Sequence, residues 1–401
     1  MIIYESLTQL NMFNPVQFYE FGKSRGNAFV STWKTDNIST GSTANNQIKL
    51  PLESSGTYNF FVNWGDGTED NITVWNQSAT THTYSNIGTY EITIFGACSF
   101  WAFANSGDRL KFLSVSNWGT LKVRSTSAFC QGCANLNLSL VSSVLDLSGV
   151  TSMQNWFNGC SSLTTINRLT EWDTSNIQII SNMFFEASNF NQNIGALNVV
   201  NVTSMVNTFT RAFLFNNGGS TSINNWNTSN LTSLSNTFND CNAFNQPLDN
   251  WDVSNVTNMT ATFRNCFVFN QNISNWQTGL VSNFSTTFST ARAFNQNIGN
   301  WNTTNALTMA SMFFGAIAFD QNIGNWNVSN VTNFTSMFQG KTPTTFSSVN
   351  LDFIYNGWSL RTVKTNIIIS FSSAKYTSAS SSGRAILTGT PNNWSITDGG
   401  I

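Results

Sequence analysis

The hydrophobic positions of this chain follow one pattern up to about residue 97 and another after it. In the first region, segments such as NNQIKLPL and YNFFVNW alternate apolar and polar residues and are separated by Gly, Asn and Asp. Alternation with a period of two predicts short strands, and the separating residues predict turns. Residues 29–97 are therefore expected to form a β-sandwich.

From residue 98 to 342 the sequence repeats itself about every 25 residues. FNQNIGNWNTTN at 294–305, for example, returns as FDQNIGNWNVSN at 319–330. About nine units can be aligned, and this period is typical of a solenoid, in which each unit buries its apolar face against its neighbours. The period defines a Trp column (Trp172, Trp226, Trp251, Trp276, Trp301, Trp326), a Phe column (Phe184, Phe209, Phe238, Phe263, Phe288, Phe313, Phe338) and a Gln column (Gln192, Gln246, Gln271, Gln296, Gln321).

Each unit is predicted to contain a short helix and a short strand. Val256, Met259 and Phe263 are spaced by three and four residues, as on one side of a helix. The stretch from Phe269 to Ile273 alternates and predicts a strand. If equivalent strands stack about 4.8 Å apart, the Gln amides of successive units bond one another in a ladder. The Trp side chains are expected to pack between units rather than to stack on sugar rings.

The two ends of the chain fit neither pattern. Residues 1–28 are interpreted as an N-terminal arm that anchors the protein or makes it oligomerise. The arm begins MIIYESLTQLNMFNPVQF, without the basic and apolar regions of a secretory signal, so export is expected to depend on another carrier. Residues 343–401 contain predicted helices and strands and are expected to form an α/β cap, because the end of a solenoid exposes an apolar cross-section.

Composition restricts the partners. Charged residues make up 9% of the 401 residues and the net charge is -2, whereas an ordinary globular protein has roughly 25% charged residues. A chain with so few cations has no basic stripe for a phosphate backbone, so nucleic acid is excluded as a partner. The chain also lacks an apolar run of 18 residues, so no membrane span is expected.

Two regions resemble known families. VNWGDGT followed by THTYSNIGTYEITI resembles the polycystic kidney disease (PKD) domain, which implies an immunoglobulin-like sandwich. LKFLSVSNWGTLKV, the FxxCxxL units and the 25-residue units resemble the BspA-type leucine-rich repeat surface proteins of bacteria and phages. The second resemblance implies a right-handed leucine-rich-repeat solenoid, surface exposure and an adhesive or ligand-binding role without enzymatic activity.

Few residues are candidates for catalysis or metal binding. His82 is the only histidine and precedes a turn, which favours a structural hydrogen bond. Asp66, Glu69 and Asp70 in WGDGTED offer oxygen ligands for calcium, but the turn alone accounts for Asp66. We therefore expect no catalytic residue, no metal site and no cofactor.

The cysteines are interpreted as packing residues. CQGC at 130–133 has the spacing of a zinc half-site or a redox pair. Cys133, however, shares a column with Cys160, Cys241, Cys266 and several alanines. This exchange with alanine indicates a position that requires a small apolar side chain. The pairs Cys133/Cys160 and Cys241/Cys266 are both candidates for disulfides, and the sequence leaves their oxidation state open.

The carboxylates of the repeats are interpreted as turn formers. A glycosidase needs two carboxylates that flank the sugar bond. Asp173 and Asp252 follow the Trp column, but Asn227, Asn302 and Asn327 hold the same position in other units. This exchange indicates a role in local turns.

These observations predict a non-enzymatic binding protein displayed on a surface. The first hypothesis is a phage virion component for host attachment or for capsid or tail decoration, located on the virion surface. Its expected partners are other virion proteins, contacted through the arm, and a glycan or protein of the host surface; a homo-oligomer is compatible with the sequence. The second hypothesis is a bacterial cell-surface or extracellular adhesin, and the third is a polysaccharide-degrading enzyme.

Overall fold

The computed structural model describes residues 27–125 and 128–401. These residues form a mainly β structure with few short helices, as the sequence predicts. The predicted N-terminal arm, residues 1–28, lies outside the described residues except for its last two. Among the described residues, no helix has the length and apolar character needed to cross a membrane.

The elements are short. The strands are β1 (Phe29–Lys34), β2 (Gln47–Lys49), β3 (Tyr58–Asn63), β4 (Glu69–Ile72), β5 (Thr81–Thr83), β6 (Thr89–Ser99), β7 (Phe112–Asn117), β8 (Leu121–Lys122), β9 (Ile368–Ser370) and β10 (Ser395–Thr397). The α-helices are α1 (Ser348–Trp358) and α2 (Ser381–Thr388). Short 3₁₀ helices lie at Ser78–Thr80, Leu169–Glu171, Asn217–Gly219, Thr221–Asn225 and Ser378–Ser380.

The first region is built on one six-stranded open sheet. Its order is β4-β3-β6-β1-β7, and β8 pairs in parallel with the end of β6. The strands β2 and β5 form a separate antiparallel pair. Trp33, Trp101 and Phe112 are fully buried in the core of this region. The predicted division after residue 97 falls inside β6, and β7 and β8 still belong to the sheet.

The strand β7 joins this sheet to the repeats. It pairs with β1 on one side, and on the other its Ser114 forms a parallel bridge with Asn137. A second bridge at this side of the repeats links Leu138 with Ile166. At another position, five residues before the Phe column, one continuous row of parallel bridges links Ser152, Ile179, Ser204, Ser233, Asn258, Asn283, Thr308 and Asn333 in turn. The repeats are therefore stacked in register on the edge of the first sheet.

Within a repeat, both predicted elements are wrong. The segment 256–266 contains turns rather than a helix, and 269–273 contains no strand. The N–H groups of Met259, Ala261 and Phe263 each donate, at 2.9 Å, to a carbonyl of the following repeat. A helix would bond these groups to residues four positions earlier in the same segment. Contact with the next repeat therefore replaces the helix, although the spacing of inward residues is the same.

The core of the stack consists of aromatic columns. Rings of the Phe column lie 5.6–5.9 Å from the equivalent ring of the next repeat and are nearly parallel. A second column, which the sequence analysis did not separate, packs 3.8–4.1 Å from the first and holds Phe190, Phe215, Phe244, Phe269, Phe294 and Phe319. All members of both columns are buried, so each repeat completes its core only against its neighbours.

The Gln column does not form the predicted ladder of Gln amides. Gln271, Gln296 and Gln321 each donate to the backbone and side-chain oxygens of an Asn 26 residues earlier, at 2.8–3.1 Å. The same Asn oxygen accepts the backbone N–H of the next repeat, as Asn295 does from Asp320 at 2.9 Å. The amide ladder exists, but Asn side chains provide its acceptors.

The C-terminal segment packs against the last repeat. Phe371 stacks on Phe338 with 4.9 Å between ring centroids. Asp320 stands where earlier repeats have Asn, and its carboxylate accepts bonds from the Ser347 N–H and hydroxyl, both at 2.9 Å. Ser347 is the N-cap of α1. The Asp320 carboxylate therefore lies near the positive N-terminal end of that helix, where a negative charge is stabilising.

Candidate binding surface

His82 has a structural environment. Its ring stacks on Trp64 at 4.8 Å, and its Nε2 lies 2.8 Å from Asp66 Oδ2. Burial opposes the ionisation of Asp66, but hydrogen bonds from Thr68 and His82 outweigh it and lower the pKa of this carboxyl. The pair ties the WGDGTED turn to β5.

The three carboxylates of that turn have separate partners. Asp66 faces His82, whereas Glu69 accepts a bond from Asn63 Nδ2 at 2.9 Å and Asp70 accepts one from the Trp64 indole at 2.8 Å. Over residues 27–125 and 128–401, no group of three or more His, Cys, Asp or Glu side chains is arranged to hold a metal ion.

The cysteines are free thiols packed inside the stack. All six are buried, and neither Cys133/Cys160 nor Cys241/Cys266 forms a disulfide. The Cys266 thiol donates to the Phe238 carbonyl at 2.9 Å. Burial raises the pKa of the Cys241 and Cys266 thiols, which disfavours the reactive thiolate.

The Trp column is also internal. Its members are at most 4% exposed, so their faces are covered by protein. Trp251, Trp276, Trp301 and Trp326 donate their indole N–H to a carbonyl 28 residues earlier at 2.9–3.0 Å. Sugar stacking on this column is therefore blocked in the folded protein.

The aspartates after the Trp column serve turns. Asp173 Oδ1 accepts the Ser175 N–H at 3.1 Å, and Asp252 Oδ1 accepts the Ser254 N–H at 2.9 Å. Asn227 makes the same bond to Ser229. Asp and Asn are equivalent here because either oxygen closes the turn.

A different column distinguishes the central repeats. In every repeat, the residue two positions after the Phe-column position adopts the left-handed backbone conformation, with φ between 55° and 92°. The residues in this left-handed column are Gly132, Gly159, Glu186, Arg211, Asp240, Asn265, Thr290, Gly315 and Gly340. Five central repeats therefore carry a side chain where the flanking repeats have glycine.

Side chains at this position cost conformational energy. The left-handed region suits glycine, tolerates Asn and Asp, and is an outlier for a β-branched residue such as Thr290. Lack of space does not explain Gly340 and Gly159, because a Cβ at Gly340 meets nothing within 4 Å and one at Gly159 makes an ordinary contact at 3.5 Å. At Gly132 and Gly315, by contrast, a Cβ would lie 2.2 Å from Asn105 Oδ1 and 2.9 Å from Thr290 Cγ2. The central side chains are thus kept at a conformational cost, which a second left-handed column of the same repeats, with Asn236, Ala261 and Thr286, also carries.

These five side chains, Glu186, Arg211, Asp240, Asn265 and Thr290, form what we call the polar ladder. Arg211 Nη1 lies 2.6 Å from Glu186 Oε1, and Arg211 Nε lies 3.8 Å from Asp240 Oδ2. Asn265 donates to Asp240, and Thr290 donates to Asn265. Each bond joins one repeat to the next, so the ladder runs along the stack.

Exposed and half-buried apolar residues accompany the ladder. Phe213, 41% exposed, lines an open cleft together with Glu186, Ser188, Arg211 and Asp240, and this cleft measures about 480 Å³. We call the apolar stripe the set of residues two or three positions after the ladder position in their repeats: Phe213, Leu214, Phe267, Val268 and Ile317.

The stripe also includes one cation–aromatic contact. Arg292, which stands two residues after Thr290, places its guanidinium 4.8 Å from the ring centroid of Phe267. Such a contact holds the Arg side chain over the ring and keeps its donors at the surface. The ladder and the stripe together present hydrogen-bond donors, acceptors and apolar faces on one edge of the stack.

The sequence pattern did not reveal this surface, because its charged residues are few and differ from repeat to repeat. The charged residues share one position, two residues after the Phe column, and the flanking repeats have glycine at that position. This common position is the feature of the sequence that could have identified the surface.

Most of the repeat region matches one family model. Four overlapping stretches, residues 100–221, 161–272, 214–307 and 263–382, match the family described as "Mycoplasma protein of unknown function, DUF285". Together they extend over residues 100–382, well over half of the 401-residue chain. No curated protein and no solved structure gives a significant match.

Proposed function

The chain belongs to the DUF285 family, and we propose that it is a non-enzymatic binding protein whose repeats display an extended recognition edge. The observation that carries this proposal is the polar ladder, whose side chains bond from repeat to repeat over five consecutive repeats beside exposed apolar residues. A ligand in contact with the ladder and the stripe would extend across several repeats and make many modest contacts.

The finer fold belongs to the same proposal. We interpret the first sheet as a PKD-like, immunoglobulin-like sandwich, supported by VNWGDGT and by the second strand pair β2 and β5. We interpret the repeats as a right-handed BspA-type leucine-rich-repeat solenoid, supported by the parallel bridges at the repeat spacing. The C-terminal segment would be its α/β cap, supported by the stacking of Phe371 on Phe338.

Two settings are proposed for this binding protein. In the first, it is a phage virion component anchored through residues 1–28, with the repeats projecting towards the host. In the second, it is a bacterial cell-surface adhesin, which the family's description as a Mycoplasma protein favours. Mass spectrometry of purified virions, compared with protease shaving of intact bacteria, distinguishes the two, because only one preparation should contain the protein.

Binding itself is tested with multimerised protein. Weak single contacts become measurable through avidity when several copies are displayed together. We expect tetramers of the wild-type protein to bind candidate host cells, and tetramers of the triple variant Glu186→Gly, Arg211→Gly, Asp240→Gly to bind much less. Salt should change binding little, since Arg211 is already paired with two carboxylates.

The control is Asn236→Gly, which lies in a second left-handed column of the same repeats. This variant should retain wild-type binding. Absence of cell binding at every valency, or equal binding by the triple variant, would contradict the proposed function.

A further inference from the structure

We propose that the ligand of this edge is a neutral oligosaccharide, which lies along the stack between the polar ladder and the apolar stripe. This inference rests on the proposed function and names its ligand class.

The cleft at Arg211 carries the chemistry that a pyranose ring needs. A sugar ring has an apolar C–H face and a rim of hydroxyls that both donate and accept hydrogen bonds. Phe213 offers an exposed aromatic face, while Glu186, Arg211 and Asp240 offer two acceptors and a donor group in the same cleft. Planar carboxylate and guanidinium groups bond two neighbouring atoms at once, which suits vicinal hydroxyls.

The surface continues for more than one sugar. Phe267 holds the position of Phe213 two repeats further along, and the intervening steps of the Phe column are 5.6 and 5.8 Å. Phe213 and the Phe267–Arg292 pair are therefore separated by a distance on the scale of a disaccharide, and the guanidinium over Phe267 offers hydrogen-bond donors there rather than a bare ring face. Asn265 and Thr290 extend the row of amide and hydroxyl groups beside this pair. The surface thus fits a linear chain rather than a single monosaccharide.

The charges favour a neutral ligand. Arg211 is held between Glu186 and Asp240, so its positive charge is compensated within the ladder. Arg264 and Arg292 add cations in the neighbouring repeats, and two carboxylates therefore stand against three guanidinium groups. A nearly balanced edge offers little attraction for a polyanion, whose binding needs a concentrated positive field.

The test is a printed array of neutral and acidic oligosaccharides, probed with fluorescent tetramers of the full chain. We expect binding to one or more neutral glycans of at least two sugar units. Arg211→Gly and Phe213→Ser should each weaken it at least about tenfold, as expected for residues at the centre of an interface. Glycine is native at the ladder position in the flanking repeats, so Arg211→Gly should fold. Asn236→Gly and Leu307→Ser, the latter at an exposed residue in another column, are controls that should bind like wild type.

Three outcomes would overturn the saccharide proposal. The first is stronger binding to sialylated or uronic-acid glycans than to neutral ones. The second is glycan binding that Arg211→Gly and Phe213→Ser leave unchanged. The third is ladder-dependent cell binding that protease treatment of the cells abolishes, with no glycan bound on the array. That last result would identify a protein partner and leave the proposed function intact.

Discussion

Trp358, in α1, donates its indole N–H to the carbonyl of Ile323 at 3.2 Å. Trp326, in the preceding repeat, makes the same bond to Ile298 at 2.9 Å. The helix therefore supplies the indole that a further repeat would have supplied, although its backbone has a different conformation. From Trp251 onward, the Trp column therefore joins each layer to the layer before it, whereas the buried indoles of Trp172 and Trp226 have no hydrogen-bond partner among the described residues.

We expect Trp276→Ala to destabilise the protein by about 3 to 5 kcal/mol, the range for removing a large aromatic side chain from a core. Trp276 is 3% exposed and its indole bonds the Leu248 carbonyl at 2.9 Å. Chemical denaturation followed by circular dichroism measures the loss. Trp276→Phe should lose less, since it keeps a ring. Wild-type stability of Trp276→Ala would mean that the indole does not hold the layers together.

Deletion of one whole repeat, Asn255 to Gly279, should leave a folded and shorter protein. The repeats before and after the deletion present the same Phe column, separated by 5.6–5.8 Å per step, so the new neighbours fit each other. Deletion of only twelve of these residues should prevent folding, because the columns lose register. Limited proteolysis and circular dichroism compare the two. Aggregation of the 25-residue deletion together with folding of the shorter one would refute the stacked-repeat interpretation.

The strain of the left-handed column predicts opposite effects for two exchanges. Thr290→Gly should raise the free energy of unfolding by about 1 kcal/mol, because it relieves a β-branched residue at φ 55°. Gly340→Thr should lower it by a similar amount, although nothing lies within 4 Å of the new Cβ. Urea titrations of both variants measure the effect. If both changes left stability the same, the side chains of the polar ladder would carry no conformational cost.

Lys341 predicts a pH dependence. Its ammonium bonds the carbonyls of Ala316 and Phe319 at 2.5 and 2.6 Å, and burial lowers its pKa to about 8, with Asp320 opposing the shift. The fold therefore disfavours the charged form, so stabilisation is complete above the unfolded pKa near 10.5 and is lost as pH falls through 8. Between pH 8 and 10.5 we expect the wild type to gain up to about 3 kcal/mol relative to Lys341→Met.

Chemical denaturation at half-unit pH intervals measures this difference. The control is Lys375→Met, at an exposed lysine, and the difference between this variant and the wild type should not change over the same range. A constant difference between the wild type and Lys341→Met would show that Lys341 does not titrate in this window.

The sequence by itself determined the repeat and the residues that face its core. Trp276, Phe263 and Cys266 recur at a fixed period and are all buried. Periodicity reports such residues well, because a repeated apolar side chain needs the same burial in every unit. The change of pattern near residue 97 likewise marked the mainly β first region. The boundary with the repeats is less sharp than the sequence indicates, because β6, β7 and β8 all belong to the sheet of the first region.

Only the tertiary structure decided how the polar groups were paired. The N–H groups of Met259 and Phe263 have two ways to be satisfied, within a helix or by the next repeat, and the inward spacing of side chains is compatible with both. From the sequence, the Gln271 amide could bond either a Gln or an Asn of the preceding repeat, and in the structure it bonds Asn245. The polar ladder follows from the same choice, since the turns that direct N–H groups to the next repeat require a left-handed residue. That backbone carries Glu186, Arg211 and Asp240 outward together, whereas a helix would have spaced them differently.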